Sequence, residues 1–231
     1  MMQGPIIGDD RPLAVDMFTG LHGWSEGLIA EGFRVIGFDI VDMSAECGLP
    51  KPDHFELVLQ DVLTLHGSQF KDAALIVASP PCQFFSYCAM PWTKAKALAA
   101  AVRADPERLA KELALFNACF RIQREASEAA GRRIPLIVEN VRGAIPWVGR
   151  SRWNAGSFHL WADVPALMPQ LDPRKGFAGL KGFKDFHDCE AARKWSSKDP
   201  RRKAWSAMIA KIPLPLSRHI AATFHPARVQ P

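Results

Sequence analysis

The sequence predicts an α/β fold with a doubly wound, mostly parallel sheet, and three observations predict it. Short apolar runs rich in β-forming residues alternate with stretches of helical periodicity. The runs end in acids or in turns built from glycine or proline. One of those turns, Ser79-Pro80-Pro81-Cys82, carries a thiol at the carboxyl end of its strand, the edge where open α/β sheets hold ligands.

The first run, Leu13 to Phe18, leads through Thr19-Gly20-Leu21-His22-Gly23 into an amphipathic helix near Trp24 to Glu31. Gly20 and Gly23 permit a tight turn and close approach of a ligand, and the helix that follows offers unpaired N–H groups. The second strand, Phe33 to Asp39, ends in an acid nineteen residues after Gly20. That is close to the spacing of about twenty at which an acid meets ribose hydroxyls. Phe55 to Leu59 makes the third strand, followed by Asp61 and Val62. Asp16, Asp39 and Asp61 are thus expected along one sheet edge, which suits a ligand with hydroxyl and amino donors and a positive centre better than a bare pyrophosphate.

The fourth strand, Ala74 to Ala78, is stopped by two prolines that cannot extend a ladder. Taken alone, Cys82 is either one more inert buried thiol or a nucleophile at the sheet edge. Tyr87 to Ala104 shows no strand pattern and reads as a loop or lid, partly helical through its alanines. Asp105-Pro106-Glu107 has the N-cap, the proline and the first-turn acid that open a helix. This helix is expected to run to about Ala130 and stop at Gly131, with Cys119 in the core. The fifth strand, Pro135 to Val141, presents Glu139 and Asn140 at the same edge as Cys82.

A chain of 231 residues is long enough for one substantial core plus a small appendage, and 48% hydrophobic with 23% charged residues is an ordinary globular balance. No apolar run is long enough to span a bilayer, and MMQGPIIGDDRP lacks the basic n-region of a signal peptide. The five cysteines form no Cys-x-x-Cys pair, and His187-Asp188-Cys189 lacks a partner pair, so neither a disulfide framework nor a metal site is expected. A reducing, cytoplasmic setting follows. The formal net charge of +5 is matched by residues 171–205 alone, which carry ten Lys or Arg against five acids, interleaved with aromatics. A basic, aromatic stretch of this kind suits phosphate contacts with a nucleic acid.

Taken together, DMFTGLHGWSEGL, SPPCQFFS, Glu139-Asn140-Val141, Arg150-Ser151-Arg152 and KIPLPLSRHIA resemble, in order, the motifs of the DNA cytosine-5 methyltransferase family. The resemblance covers residues 13–152 and about 208–224. It implies a Rossmann-like S-adenosylmethionine-dependent methyltransferase sheet with a small basic target-recognition insert. The implied domains are residues 1–152 for cofactor and catalysis, 153–207 for target recognition, and 208–231 returning to the catalytic unit. By this resemblance S-adenosylmethionine meets Asp16, Phe18, Gly20, Gly23, Asp39, Ile40, Asp61, Val62 and Pro80. Cys82 is the nucleophile. Glu139 holds the exocyclic amine of cytosine and shares or delivers a proton at nitrogen 3, Arg152 holds the cytosine carbonyl or a nearby phosphate, and Asn140 belongs to the same catalytic set. Gln83, Ser86, Arg150, Arg201, Arg202 and Lys203 face DNA, duplex DNA being the expected partner of a monomeric enzyme.

The matches have gaps. His22 stands where the family usually has a second glycine and is expected either as a polar lining residue or, preferentially, as a surface side chain. Ile209 and Ala210 stand where a Gly-Asn pair is usual. The same carbon-5 chemistry on RNA, on a free nucleotide or with a modified donor remains open, as does a catalytically silent DNA-binding relative. The presence of both Cys82 and Glu139 argues against the silent relative, and the basic insert argues against the free nucleotide.

Overall fold

The fold is that of a computed structural model, which describes residues 9–86, 92–170 and 200–228. Seven strands form one sheet in the order β3-β2-β1-β4-β5-β7-β6. They are β1 Leu13–Met17, β2 Arg34–Asp39, β3 Phe55–Leu59, β4 Ala73–Ala78, β5 Leu136–Asn140, β6 Trp153–Ala155 and β7 Phe158–Ala162. The first five run parallel. β7 is antiparallel to β5, and β6 is antiparallel to β7. The order reverses direction beside β1 and β4, so the carboxyl ends of these two strands flank a crevice.

Alternation along β1 separates the two layers of core. Leu13, Val15 and Met17 pack with Phe116, Cys119, Ile122 and Ala126 of the long helix on one face. Ala14 lies on the other face with Trp24 and Leu28 of helix α1, Gly23–Ala30, and with Leu216 and Ile220 near the C-terminus. A one-turn helix, α2, Met43–Glu46, follows β2. The expected lid region holds helix α3, Trp92–Arg103, so its alanine-rich part is helical. Helix α4, Pro106–Ala130, begins where expected, with Asp105 Oδ1 accepting from the Arg108 N–H over 3.0 Å, and ends at Gly131 with φ 63°. The short helix α5, Ile145–Val148, follows β5.

Helix α6, Pro200–Ala210, and helix α7, Leu214–Phe224, bring the C-terminal segment back onto α1. The approach is close because it is glycine-mediated: a Cβ at Gly27 would collide with the Ser217 hydroxyl, and one at Gly23 would lie 3.0 Å from the Ile212 side chain. Ion pairs from Arg218 and Arg228 to the half-buried Glu31 clamp the same junction.

Two expectations need correction. The sheet does not end at residue 152: β6 and β7 lie within the region assigned to target recognition, because β7 covers the open edge of β5. The boundary at 207/208 likewise falls inside α6, a single helix. Most of the basic stretch, 171–199, lies outside the described residues. Among the described residues, no helix is long and apolar enough to cross a membrane.

Candidate functional site

At the carboxyl edge of β1, β2 and β4 lies a cavity of about 610 Å³, within the size range of small-molecule and cofactor sites. Its floor is the turn after β1. Phe18 has φ 65° and Gly20 φ 49°, so the chain bends sharply out of the strand. The N–H groups of Phe18 and Thr19 both donate to the Phe38 carbonyl, over 2.8 and 3.3 Å. Gly20 N–H donates to Asp39 Oδ2 over 3.0 Å, while Asp39 Oδ1 accepts from Ile40 N–H over 2.8 Å and from Val41 N–H over 3.3 Å. Asp39 thus fastens the glycine turn to the end of β2, a task its position in the sequence does not reveal.

Phe18, Gly20, Gly23, Asp39, Ile40, Asp61 and Val62 all line the cavity. Ile40 is 71% exposed and forms an apolar lip. Asp61 is exposed and caps the next turn by accepting from Leu63 N–H over 2.9 Å.

Two expected cofactor residues are elsewhere. Asp16 points to the α1 face of β1, fully buried, where it accepts a hydrogen bond from Ser25 Oγ over 2.6 Å and does not reach the cavity wall. Position along the strand explains this: Phe18 follows the carboxyl end of β1, whereas Asp16 lies two residues earlier, where alternation turns it toward α1. Burial raises the Asp16 pKa to about 7, against the lowering effect of Ser25. Pro80 is also buried off the wall, and its neighbours Ser79 and Pro81 line the cavity instead.

His22 is a third correction. It is only 3% exposed, packs on Phe55 at 4.4 Å between ring centroids, and has no hydrogen-bond partner on either ring nitrogen among the described residues. Burial lowers its pKa, so the ring is a neutral packing group. Its φ of 61° explains why glycine would also be at home there.

The Cys82 turn is built onto the end of β5. Phe85 N–H donates to the Cys82 carbonyl over 2.9 Å, closing a tight turn with Cys82 half-buried. Asn140 Nδ2 donates to the Pro80 carbonyl over 2.8 Å, and Asn140 Oδ1 accepts from Val141 N–H over 2.9 Å. A Cβ at Gly143 would collide with the Phe85 carbonyl, so the segment after β5 lies directly against the turn. Asn140 is 1% exposed, with both ends of its amide committed to backbone. It fastens the turn and does not present itself to a ligand.

Glu139 is buried, and burial pushes its pKa up to about 8, with a hydrogen bond from the Ser79 side chain acting in the opposite direction. Ser79 Oγ also accepts from Trp24 Nε1 over 3.0 Å. Both Trp24 and Ser79 line the cavity. Burial thus favours the neutral, protonated form of Glu139, the form able to donate.

Gln83 lines the cavity and Ser86 is half-buried in the turn. Arg150 and Arg152 are exposed on the segment entering β6, and Arg152 is held there by its N–H donating to the Leu160 carbonyl over 2.8 Å. Their guanidinium groups make no hydrogen bond or ion pair among the described residues. Arg201, Arg202 and Lys203 fall in the first turn of α6, and their side chains lie outside the described residues.

Sequence reasoning missed the rest of the wall. Trp24, Ser79, Pro81 and Met43 carry no signal that distinguishes a lining side chain from a core one. Lys111 and Leu115 come from the opposite layer, on α4. Lys211 and Ile212 lie within KIPLPLSRHIA, quoted above without singling them out. Lys211 Nζ is 2.6 Å from Glu26 Oε1 on α1, which ties the C-terminal segment to the site despite the missing Gly-Asn pair. Among the described residues no group of His, Cys, Asp or Glu is arranged to hold a metal ion.

Comparison with known proteins gives a family match. Residues 14–100 match the model of the C-5 cytosine-specific DNA methylase family. No curated protein matches the chain significantly. Three solved structures give partial matches. A candidate DNA modification methyltransferase encoded within an E. coli prophage is 21% identical, with TM-score 0.37 over 58% of this chain. The Entamoeba histolytica methyltransferase EhMeth is 16% identical, with TM-score 0.38 over 61%. The S. pombe Dnmt2 methyltransferase is 16% identical, with TM-score 0.35 over 59%. The matches span 33%, 41% and 36% of those chains respectively.

Proposed function

We propose that this chain methylates carbon 5 of cytosine in DNA, with S-adenosylmethionine as donor, a reading supported by the match of residues 14–100 to the model of the C-5 cytosine-specific DNA methylase family. One observation carries the reading: the Ser79–Cys82 turn is anchored through Asn140 to the strand that presents the buried Glu139. A nucleophile and an acid thus share one edge, next to a cavity of cofactor size.

The cavity suits the donor. Asp39 and Asp61 offer carboxylate acceptors for hydroxyl and amino groups, Phe18 and Ile40 offer apolar surface for a base, and the acids favour a cationic centre. When bound, S-adenosylmethionine supplies an electrophilic methyl group. The chain supplies the rest. A cytosine inside a duplex is out of reach, so it must be flipped at a cost of a few kcal/mol. Cys82, as thiolate, adds to carbon 6 of the ring and pushes electron density toward nitrogen 3. Glu139 delivers its proton to nitrogen 3 and becomes a carboxylate, leaving carbon 5 nucleophilic enough to take the methyl group. A water molecule takes the carbon-5 proton; the C–H electron pair forms the carbon 5–carbon 6 double bond and expels the Cys82 thiolate, and the nitrogen-3 proton returns to Glu139, restoring the aromatic ring. The exposed Arg150 and Arg152 are positioned to meet the base carbonyl or a nearby phosphate.

The test is incubation of the protein with methyl-labelled S-adenosylmethionine and, separately, duplex DNA, single-stranded DNA, RNA and dCMP. Label on cytosine C5 of duplex DNA is expected. Label confined to RNA or dCMP would redirect the substrate, and no label on any of the four would end the catalytic reading.

A further inference from the structure

Ser79 stands between the cavity and Glu139. Its Oγ receives the Trp24 Nε1–H over 3.0 Å, and the β4–β5 register, which pairs Ala78 with Val138, carries Ser79 alongside Glu139, whose pKa the serine side chain lowers. Trp24 is 2% exposed and Glu139 8% exposed, so water does not compete freely for either contact. We propose that Ser79 is a positioning residue for Glu139, its hydroxyl oriented by Trp24 so that its single proton points at the Glu139 carboxyl. The proposal rests on the base-handling role given to Glu139 above.

The inventory of donors and acceptors decides the direction. An indole N–H can only donate, so Trp24 occupies a lone pair of Ser79 Oγ. The hydroxyl has one proton to give, and Glu139 is the acceptor beside it. The oxygen of Glu139 facing Ser79 is then the carbonyl oxygen, and the acid proton resides on the other oxygen. That orientation leaves the proton free for the base. Once the proton moves to nitrogen 3, the Ser79 O–H bond to Glu139 becomes charge-assisted and strengthens. Among the described residues the influences on Glu139 ionisation are its burial and Ser79, with no charged side chain contributing. Burial sets the main resistance to ionisation, and the Ser79 hydroxyl is the side chain that opposes it. Because Trp24 and Ser79 both line the cavity, the same pair connects the donor site to the base site.

The experiment is a carbon-13 NMR titration of the Glu139 side-chain carboxyl in the full chain, assigned with Glu139→Gln. It compares wild type, Ser79→Ala, Ser79→Thr and Trp24→Phe, alongside pH profiles of kcat. The titration midpoint should rise in Ser79→Ala and return toward wild type in Ser79→Thr, which keeps the hydroxyl. Trp24→Phe should raise it by less, since the hydroxyl remains but is no longer oriented. The alkaline limb of kcat should move upward with the midpoint, and kcat in Ser79→Ala should fall on the order of tenfold. A midpoint unchanged in both Ser79→Ala and Trp24→Phe overturns the inference, whatever the activity. A Ser79-dependent midpoint in a protein inactive on every nucleic acid would uphold this inference and remove the methyl-transfer reading instead.

Discussion

Asn140 Nδ2 donates to the Pro80 carbonyl over 2.8 Å, joining two segments sixty residues apart in the chain. The contact sets where Cys82 emerges relative to Glu139, because Asn140 and Glu139 are neighbours on β5 and Pro80 precedes Cys82 by two residues. Asn140→Leu removes the donor and leaves a buried carbonyl unpaired, at about 1–3 kcal/mol. Stability measured by urea denaturation should fall by that amount. Methyl transfer should fall further than stability while S-adenosylhomocysteine affinity, measured by calorimetry, stays close to wild type. An equal loss of donor affinity would show that Asn140 supports the cavity as a whole.

Cys82→Ser tests the covalent step. Serine fits the turn but is a far poorer nucleophile at neutral pH, so turnover should vanish while DNA and cofactor binding persist. Duplex DNA carrying 5-fluorocytosine should give a denaturation-resistant adduct with wild type, since fluorine cannot leave as the carbon-5 proton does. Absence of that adduct from an otherwise active enzyme would falsify the cysteine mechanism.

Asp39 distinguishes a ligand contact from a loop support. Asp39→Ala loses the acceptor for Gly20, Ile40 and Val41 N–H groups, whereas Asp39→Asn keeps one acceptor oxygen. Donor affinity should drop by about 1–3 kcal/mol in the alanine variant and by less in the asparagine variant. Equal affinities in wild type and alanine variant, by calorimetry, would remove Asp39 from the site.

Asp16 predicts a pH dependence of stability. Its pKa is raised from 3.8 to about 7 in the folded chain, chiefly by burial. Between these values the folded state binds more protons than the unfolded state, so stability falls as pH rises through the window and levels off above it. Asp16→Asn removes the ionisation and keeps an oxygen acceptor for Ser25. Relative to wild type it should therefore gain stability on going from pH 4 to pH 8, measured by urea denaturation at each pH. A constant difference between the two proteins across that range would show that Asp16 titrates normally.

The sheet was legible because its strands are continuous apolar runs stopped by acids, glycines or prolines, and that pattern fixes both strand ends and the ligand-bearing edge. The glycine turn, Asp39, Asp61 and the Cys82–Glu139 pair follow from it directly. What failed were statements about individual side chains that strand alternation or local packing decides. Asp16 lies two residues too far back in β1 to reach the edge, and His22 is held inward against Phe55 by a left-handed backbone. Lys111, Lys211 and Trp24 were missed for a different reason. They meet only through helix packing across the sheet end, and no local spacing in the sequence records that.

Helix α6 spans the boundary that the sequence placed between the target-recognition region and the C-terminal segment. Its first turn carries Arg201, Arg202 and Lys203, and its last turn supplies Ala207 and Ala210 to the cavity wall, with Lys211 immediately after. The basic stretch leading into it is only about fifty residues from 153, and β6 and β7 use part of that length for the sheet. Few side chains remain to read base edges, each good bidentate contact giving about 1–3 kcal/mol of discrimination. The expected target is therefore two or three base pairs, or a weak context preference, with affinity dominated by phosphates. Binding should weaken steeply with salt as condensed counterions are released. Replacing Arg201, Arg202 and Lys203 together with alanine should flatten the slope of log K against log salt, by up to about 0.9 for each phosphate no longer neutralised. It should leave unchanged which cytosines are modified, because phosphate contacts carry no sequence information. Bisulfite sequencing of DNA methylated in vitro reads the target, and fluorescence anisotropy across a salt series reads the slope. A strict site of five or more base pairs, or a target altered by the triple replacement, would mean that α6 and the stretch before it read bases directly.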